Sequence, residues 1–299
     1  MGRIRKLELK VPNIEEKERL DKYLANHTEY SRALVTKMIH NGNVLINNKN
    51  ERGSYLVKEN DEITIKPFKE ESDLKGANIP VDIIYEDNDL MVINKQSGLV
   101  VHPGSGNKNN TLVNALIYRG KHLSSKEDLR PGIVHRIDKD TSGLMLVAKN
   151  NKVHEILADD FKHKRIKREY IALLDGVFPN LNATIDAPIG RDPKDRKRMT
   201  IKSGGKKAIT HLTVLKKYQN YTLVSLILDT GRTHQIRVHM QYIGYPVHND
   251  PTYNNKKSNG FGQFLHSVKI EFRHPITNEI MTFEAPLPKE FQKFLDGIK

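Results

Sequence analysis

A change of hydrophobic period near Val81 constrains this chain more than any other feature. Before it, apolar residues recur at helical spacing. Leu20, Tyr23 and Leu24 stand at i, i+3 and i+4, and Leu34, Val35, Met38 and Ile39 share one side of a second helix for which Ser31 is the expected N-cap. Gly42 stops that helix; residues 44–47 read as a short strand turning at 48–50, and residues 61–66 as an edge strand. After Val81 the apolar runs are short, β-rich and broken by Gly, Pro and Asn. Strands are expected at 83–85, 90–93, 133–137, 144–147, 222–228 and 268–272, and helices near 111–118, 153–163 and 233–243. Strands adjacent in sequence with few helices imply the α+β class: a small helical and hairpin domain, then a domain on a mixed, largely antiparallel sheet. The polar segment between them lacks periodic apolar residues and reads as linker. The expected division is therefore 13–70, a linker at 71–80, and 81–299.

Composition narrows the function. The 299 residues suffice for about two domains. The longest apolar runs, such as 144–148, are strand-sized, far short of the ~20 residues of a membrane span, and residues 1–6 are basic without an apolar core, so neither membrane insertion nor secretion is expected. The absence of Cys excludes disulfides, thiolate nucleophiles and Cys-ligated zinc, and fits the reducing cytoplasm. A net charge of +13, from 49 Lys+Arg against 36 Asp+Glu, calls for a polyanionic partner, with nucleic acid ahead of an anionic membrane.

Two polar words follow apolar runs. The first, His135-Arg136-Ile137-Asp138-Lys139-Asp140-Thr141-Ser142-Gly143, should form a loop at a sheet end. Its Asp, Thr, Ser and Gly suit a plain turn, but a carboxylate beside buried strand residues also needs a positive partner or several N–H donors. Asp138 and Asp140 compete for that role on composition alone. The second word, Thr230-Gly231-Arg232-Thr233-His234-Gln235-Ile236-Arg237-Val238-His239-Met240, should start a helix capped by Thr233. His234 and His239 are not at the i, i+4 spacing of a metalloprotease helix, and no Glu follows His234. No metal site is expected, and His234 reads as a structural hydrogen-bonding residue.

These words, taken in order, resemble two known families. Arg19-Leu20-Asp21-Lys22-Tyr23-Leu24, Ser31-Arg32 and Ile39-His40-Asn41-Gly42-Asn43-Val44-Leu45-Ile46-Asn47 resemble the RNA-binding module named after ribosomal protein S-four, with Arg32 and Lys37 on its exposed side. The loop word and the helix word resemble signature motifs of the RluA/RluD-type pseudouridine synthases. Asn94-Lys95-Gln96-Ser97-Gly98, Thr111-Leu112-Val113-Asn114-Ala115-Leu116, Lys167-Arg168-Glu169-Tyr170, Leu265-His266 and Ala285-Pro286-Leu287-Pro288 extend the likeness over most of the chain after Val81. The resemblance implies isomerisation of uridine in structured RNA without metal or organic cofactor. It implies Asp138 as the catalytic aspartate, Tyr170 as the ring that stacks on the target base, and Arg237 as the cation paired with the carboxylate. Arg136 would fill the helix gap left by a flipped uridine. Ile236 would line the uracil pocket or simply belong to the core, Arg232, from its place in the turn, would contact phosphate, and His135 is grouped with the RNA contacts. Ribosomal RNA is favoured and transfer RNA is the alternative; the enzyme would be cytoplasmic and monomeric. A covalent adduct and a glycal route both remain open. Gln96 where the family has Pro, Asn249 where it has Gly, and Ile137 where it has Leu are departures that touch no reacting group.

Basic stretches at 162–168 and 191–207 complete the reading. In the second, Gly190, Gly204 and Gly205 punctuate Arg196, Lys197 and Arg198, as expected of a mobile loop that tracks phosphates. Two rivals stand beside the enzyme: a non-catalytic RNA-binding assembly factor, and a metal-assisted hydrolase using Asp138, Asp140 and nearby His.

Overall fold

The computed structural model describes residues 7–13, 18–28, 30, 32–66, 74–104, 107, 109–120, 122–125, 130–255, 258 and 260–299. The chain divides into two compact units, residues 1–72 and 73–299.

The first unit runs β1 (Leu7–Lys10), α1 (Leu20–His27), α2 (Arg32–His40), β2 (Val44–Ile46), β3 (Lys49–Asn50) and β4 (Glu62–Ile65). Leu20, Tyr23 and Leu24 of α1 and Val35 and Met38 of α2 are buried against Val44, Ile46, Ile63 and Ile65 of the sheet, the stripe that the helical spacing predicts. Ser31 lies outside the described residues. The antiparallel order is β1-β4-β2-β3, so β4 is interior rather than an edge strand. The edge is β1, whose alternating Leu7 and Leu9 pair with Ile65 and Ile63. The β2–β3 turn falls on Asn47 and Asn48, one residue earlier than expected. Their φ angles of +49° and +64° suit the primed turn of a two-residue hairpin, and Asn tolerates them.

The second unit runs β5 (Asp82–Glu86), β6 (Leu90–Lys95), α3 (Leu112–Tyr118), β7 (Ser142–Ala148), α4 (Asn151–Lys162), β8 (Lys167–Asp175), β9 (Asn182–Asp186), β10 (Ile189–Arg191), β11 (Met199–Ile201), β12 (Ile209–Lys217), β13 (Tyr221–Leu228), α5 (Gln235–Tyr242), β14 (Leu265–Arg273), β15 (Ile280–Glu284) and α6 (Lys289–Gly297). Residues 74–80, expected as linker, belong to this unit. Leu74 and Ile79 pack on its core, Ala77 N–H donates to Asn114 O, and Asn114 Nδ2 donates to Lys75 O.

A nine-stranded sheet of order β5-β6-β7-β14-β8-β13-β12-β9, with β15 on β14, forms the scaffold. Period-two alternation sends Met91, Ile93, Met145 and Val147 to one face, with α3 and α5. It sends Leu90, Val92, Leu144 and Leu146 to the other, under α4, while α6 covers Leu173 further along. No helix among the described residues is long and apolar enough to cross a membrane.

Among the described residues, every ladder is antiparallel except one. β14 runs parallel to β7, and only at His266↔Ser142 and Ser267↔Gly143; from Lys269 onward its partner on that side is β15. Gly143 is required there. At φ +112°, a Cβ on it would lie 2.3 Å from Ser267 O. The sheet therefore forks beside β7, and the loop entering β7 sits at the fork. Residues 133–137 do not form the expected strand. Ile133 makes a single bridge to Val147 and the chain then leaves the sheet.

Candidate active site

The loop before β7 is held from both sides. The Lys95 ammonium, fully buried at the end of β6, donates to the carbonyls of Gln96, Leu99 and Lys139 at 2.9, 3.0 and 2.9 Å. Ser97 Oγ contacts the carbonyl oxygens of Asp140 and Phe261, at 2.9 and 2.7 Å. Opposite, Gly262 comes so near that a Cβ on it would lie 2.5 Å from Asp140 Cβ. Asp140 is thereby folded into the loop's own support, and Asp138 is the carboxylate that lines the open pocket.

His135, grouped in the sequence with the RNA contacts, packs against the sheet. Its Nε2 accepts the N–H of Leu146, 2.9 Å away, on the edge of β7 that β14 leaves unpaired, and its ring stacks on Phe161 at 4.2 Å. Burial, aided by Arg168, holds its pKa well below the usual histidine value, so it stays neutral and caps the sheet.

The partner of Asp138 comes from α5. Arg237 Nη1 donates to Asp138 Oδ2 at 2.8 Å. Its Nε and Nη2 grip Asp250 at 2.7 and 2.8 Å, the planar fork meeting two carboxylate oxygens. Asp250 is fully buried and also accepts the N–H groups of Thr252 and Tyr253. Burial alone would raise the Asp138 pKa; Arg237, with His234 and Arg136, outweighs it and holds the carboxyl below its ordinary value. Arg237 is correspondingly held charged, Asp250 and Asp138 overcoming the burial that opposes it.

Helix α5 begins differently from expectation. Thr233 is not the cap; His234 occupies the N-cap position with left-handed φ +56° and no capping side chain. The side chain of Gln235 organises the turn instead, accepting from Arg232 N and Thr230 Oγ1 and donating to Ile209 O. His234 Nδ1 lies 2.8 Å from Tyr253 Oη, and its Nε2 lies 3.9 Å from Asp138 Oδ1.

Of the residues singled out in the sequence, Asp138, Tyr170, Arg237, Arg136, Arg232 and Ile236 line one pocket. Tyr170 arrives from β8, in register with Ser267 of β14 and Leu226 of β13. Arg136 is exposed at the pocket mouth with Nη1 2.8 Å from His102 Nε2. Arg232 donates from Nε to Lys207 O. Arg196, Lys197 and Arg198 stand outside the pocket. The basic stretch is not simply a loop there but the hairpin of β10 and β11, with the Arg198 guanidinium 5.1 Å from the centre of the Tyr253 ring. In the first unit, Arg32 pairs with Asp21 at 2.9 Å beside Arg19, and Lys37 is exposed on α2.

Sequence reasoning missed Asp250, His234 and Tyr253 as parts of this site. A signal was present for the first: a buried Arg needs more than one acceptor, and Asn249-Asp250-Pro251 held a carboxylate. Asn249 itself has φ +59°, which explains why Asn stands where Gly is usual.

Comparison with known proteins agrees with this geometry. Residues 89–242 match the family model described as RNA pseudouridylate synthase, and residues 18–63 match the S4 domain. A Bacillus subtilis protein named as an uncharacterized RNA pseudouridine synthase is 45% identical over 286 residues, 94% of each chain. A Haemophilus influenzae protein named ribosomal large subunit pseudouridine synthase D is 40% identical over 300 residues, covering 94% of this chain and 91% of its own. Among solved structures, human RNA pseudouridylate synthase domain containing 1 superposes with TM-score 0.59 at 29% identity, over 71% of this chain and 85% of that one.

Proposed function

Because this chain belongs to the RNA pseudouridylate synthase family and is an RNA pseudouridine synthase, we propose that Asp138 is its catalytic carboxylate and that its substrate is large-subunit ribosomal RNA. The observation that carries the assignment is the Asp138–Arg237–Asp250 chain, whose Asp138 and Arg237 line a pocket together with Tyr170. Isomerisation breaks the C1′–N1 bond of uridine, forms C1′–C5 and moves one proton from C5 to N1. An ionised carboxylate can attack the nucleoside or take a proton from the sugar, and both routes need it charged at neutral pH. Arg237 supplies that charge state and aims the group, while Asp250 aims Arg237.

Tyr170 gives a flipped uracil a surface to stack on, and Arg136 at the mouth is positioned to fill the vacated place in the RNA helix. Arg232 and the β10–β11 hairpin, with Arg196, Lys197 and Arg198, supply phosphate contacts, as do Arg32 and Lys37 in the S4 domain. Ribosomal RNA is supported by relatives named for the large subunit; transfer RNA is the other candidate. We take the compartment to be the cytoplasm and the working state to be a monomer, with no metal or organic cofactor in the reaction. The test is a deletion strain whose ribosomal RNA is mapped for pseudouridine by carbodiimide primer extension. Wild type restores the missing position and Asp138→Asn does not; restoration by both would sink the assignment.

A further inference from the structure

His234 is held in a conformation that a histidine adopts at a cost. Its φ of +56° and ψ of +20° are left-handed, a strained backbone for a residue with a Cβ. The strain aims the ring. Nδ1 meets Tyr253 Oη at 2.8 Å, and Nε2 faces the pocket 3.9 Å from Asp138 Oδ1. Tyr253 is buried, and its oxygen already accepts the N–H of Met199 at 2.8 Å. Among the described residues, His234 Nδ1 is the acceptor within reach of the Tyr253 proton. Tyr253 therefore donates to Nδ1, and a neutral His234 carries its own proton on Nε2, the pocket side. A separation of 3.9 Å is too long for a hydrogen bond between Nε2 and Asp138. It leaves the donor unspent, at a distance where one guest molecule can touch both groups.

We propose that His234 is a catalytic residue whose Nε2–H donates a hydrogen bond to a carbonyl oxygen of the target uracil while the C1′–N1 bond is broken. The proposal rests on the reading of Asp138 given above. When that bond breaks, its electron pair stays on the base, and the ring spreads the charge onto O2 and O4. A fixed neutral donor stabilises this charge where it develops. C1′–C5 then forms, C5 loses its proton and N1 gains one; His234 neither gains nor loses a proton overall. The surroundings keep it neutral: burial lowers its pKa, Arg237 and Arg136 act in the same direction, and Asp138 and Asp250 oppose them.

The test is single-turnover conversion of large-subunit ribosomal RNA transcripts by wild type, His234→Asn, Tyr253→Phe and Asp138→Asn. The transcripts carry uridine, 2-thiouridine or 4-thiouridine throughout. Asn tolerates the left-handed backbone, so His234→Asn keeps the turn. Its rate falls about 10²-fold with RNA affinity unchanged. Tyr253→Phe, which frees the tautomer, costs about tenfold. Sulfur accepts hydrogen bonds poorly, so at the carbonyl served by His234 the thio-to-oxo rate ratio rises about tenfold when the ring is removed. A wild-type rate for His234→Asn, or thio ratios unchanged at both positions, overturns the donor role. If Asp138→Asn is inactive while His234→Asn is normal, the donor role alone falls. An active Asp138→Asn removes the reading of the site and the donor role together.

Discussion

Replacing Arg237 by Met removes the cation 2.8 Å from Asp138 while keeping a side chain of similar length. At a charge separation of about 4 Å and an effective dielectric of about 20, the attraction removed is about 4 kcal/mol. At about 1.36 kcal/mol per unit, that is roughly three pKa units, and water entering the gap brings the expected shift to about 1–3. Burial, which opposes ionisation of Asp138, then faces weaker opposition from the remaining cations, Arg136 and Lys95. The carboxyl, held below its ordinary value in the wild type, therefore rises once Arg237 is gone. Removing Arg237 also orphans the buried Asp250, at about 3–5 kcal/mol of stability, so the substitution is made together with Asp250→Asn. Single-turnover rates from about pH 4 to 8.5, over which the wild type stays flat, then show an acid limb in the double variant, falling about tenfold per unit below its midpoint. Asp250→Asn alone is the control. It leaves Arg237 with Asp138 as its remaining carboxylate, so the rate falls through poorer aim but the profile stays flat. A flat profile in the double variant, or an equal limb in Asp250→Asn alone, refutes the reasoning.

Gly143→Ala places a methyl 2.3 Å from Ser267 O at a left-handed φ, and should cost more than about 3 kcal/mol, a fall of about 6–12 °C in the thermal midpoint by calorimetry. Arg196→Ala with Lys197→Ala, both exposed in the hairpin, should weaken RNA binding in a filter assay and lower the salt slope by about one for each phosphate no longer neutralised, with single-turnover rate at saturation unchanged. The Asp21 pKa is lowered by its hydrogen bond from Arg19, against burial and together with Arg32. A depressed carboxyl contributes stability above its unfolded pKa of about 4 and loses it as pH falls through the folded value. Wild type should therefore exceed Asp21→Asn by about 1–3 kcal/mol in urea unfolding at pH 7, with the gap closing towards about pH 3.

What the sequence revealed followed the range of the interaction behind it. Leu20, Tyr23 and Leu24 mark α1 because a helix is written in neighbours three and four residues apart. The two polar words could be picked out because each sits beside an apolar run, but within them Asp138 and Arg237 were singled out by their place in the family's motifs. Residues 133–137 look like a strand by composition, yet Ile133 alone bridges β7, and the ring of His135 takes the place of a backbone partner. Strand β8 begins Lys167-Arg168-Glu169 and reads as a charged surface; only its later register against β13 and β14 makes it central. Tyr253 was silent because its role exists only once the turn after α5 folds back onto His234; Asp250 was visible as a carboxylate, but its pairing with Arg237 is set only by that same turn.

The position of β14 has a consequence for the order in which the protein becomes an enzyme during synthesis. Its strand partners β7 and β8 are made early, but the strand that joins them ends at Arg273, close to the end of the chain. Until β14 inserts, the sheet exists as two fragments, and Leu265, Tyr170 and Asp138 cannot line one pocket. The first unit, by contrast, has all its described strands within residues 7–65 and can complete its core as soon as it leaves the ribosome. The nascent chain thus acquires its S4 domain first and its chemistry last, and a product truncated before β14 would keep the first without the second.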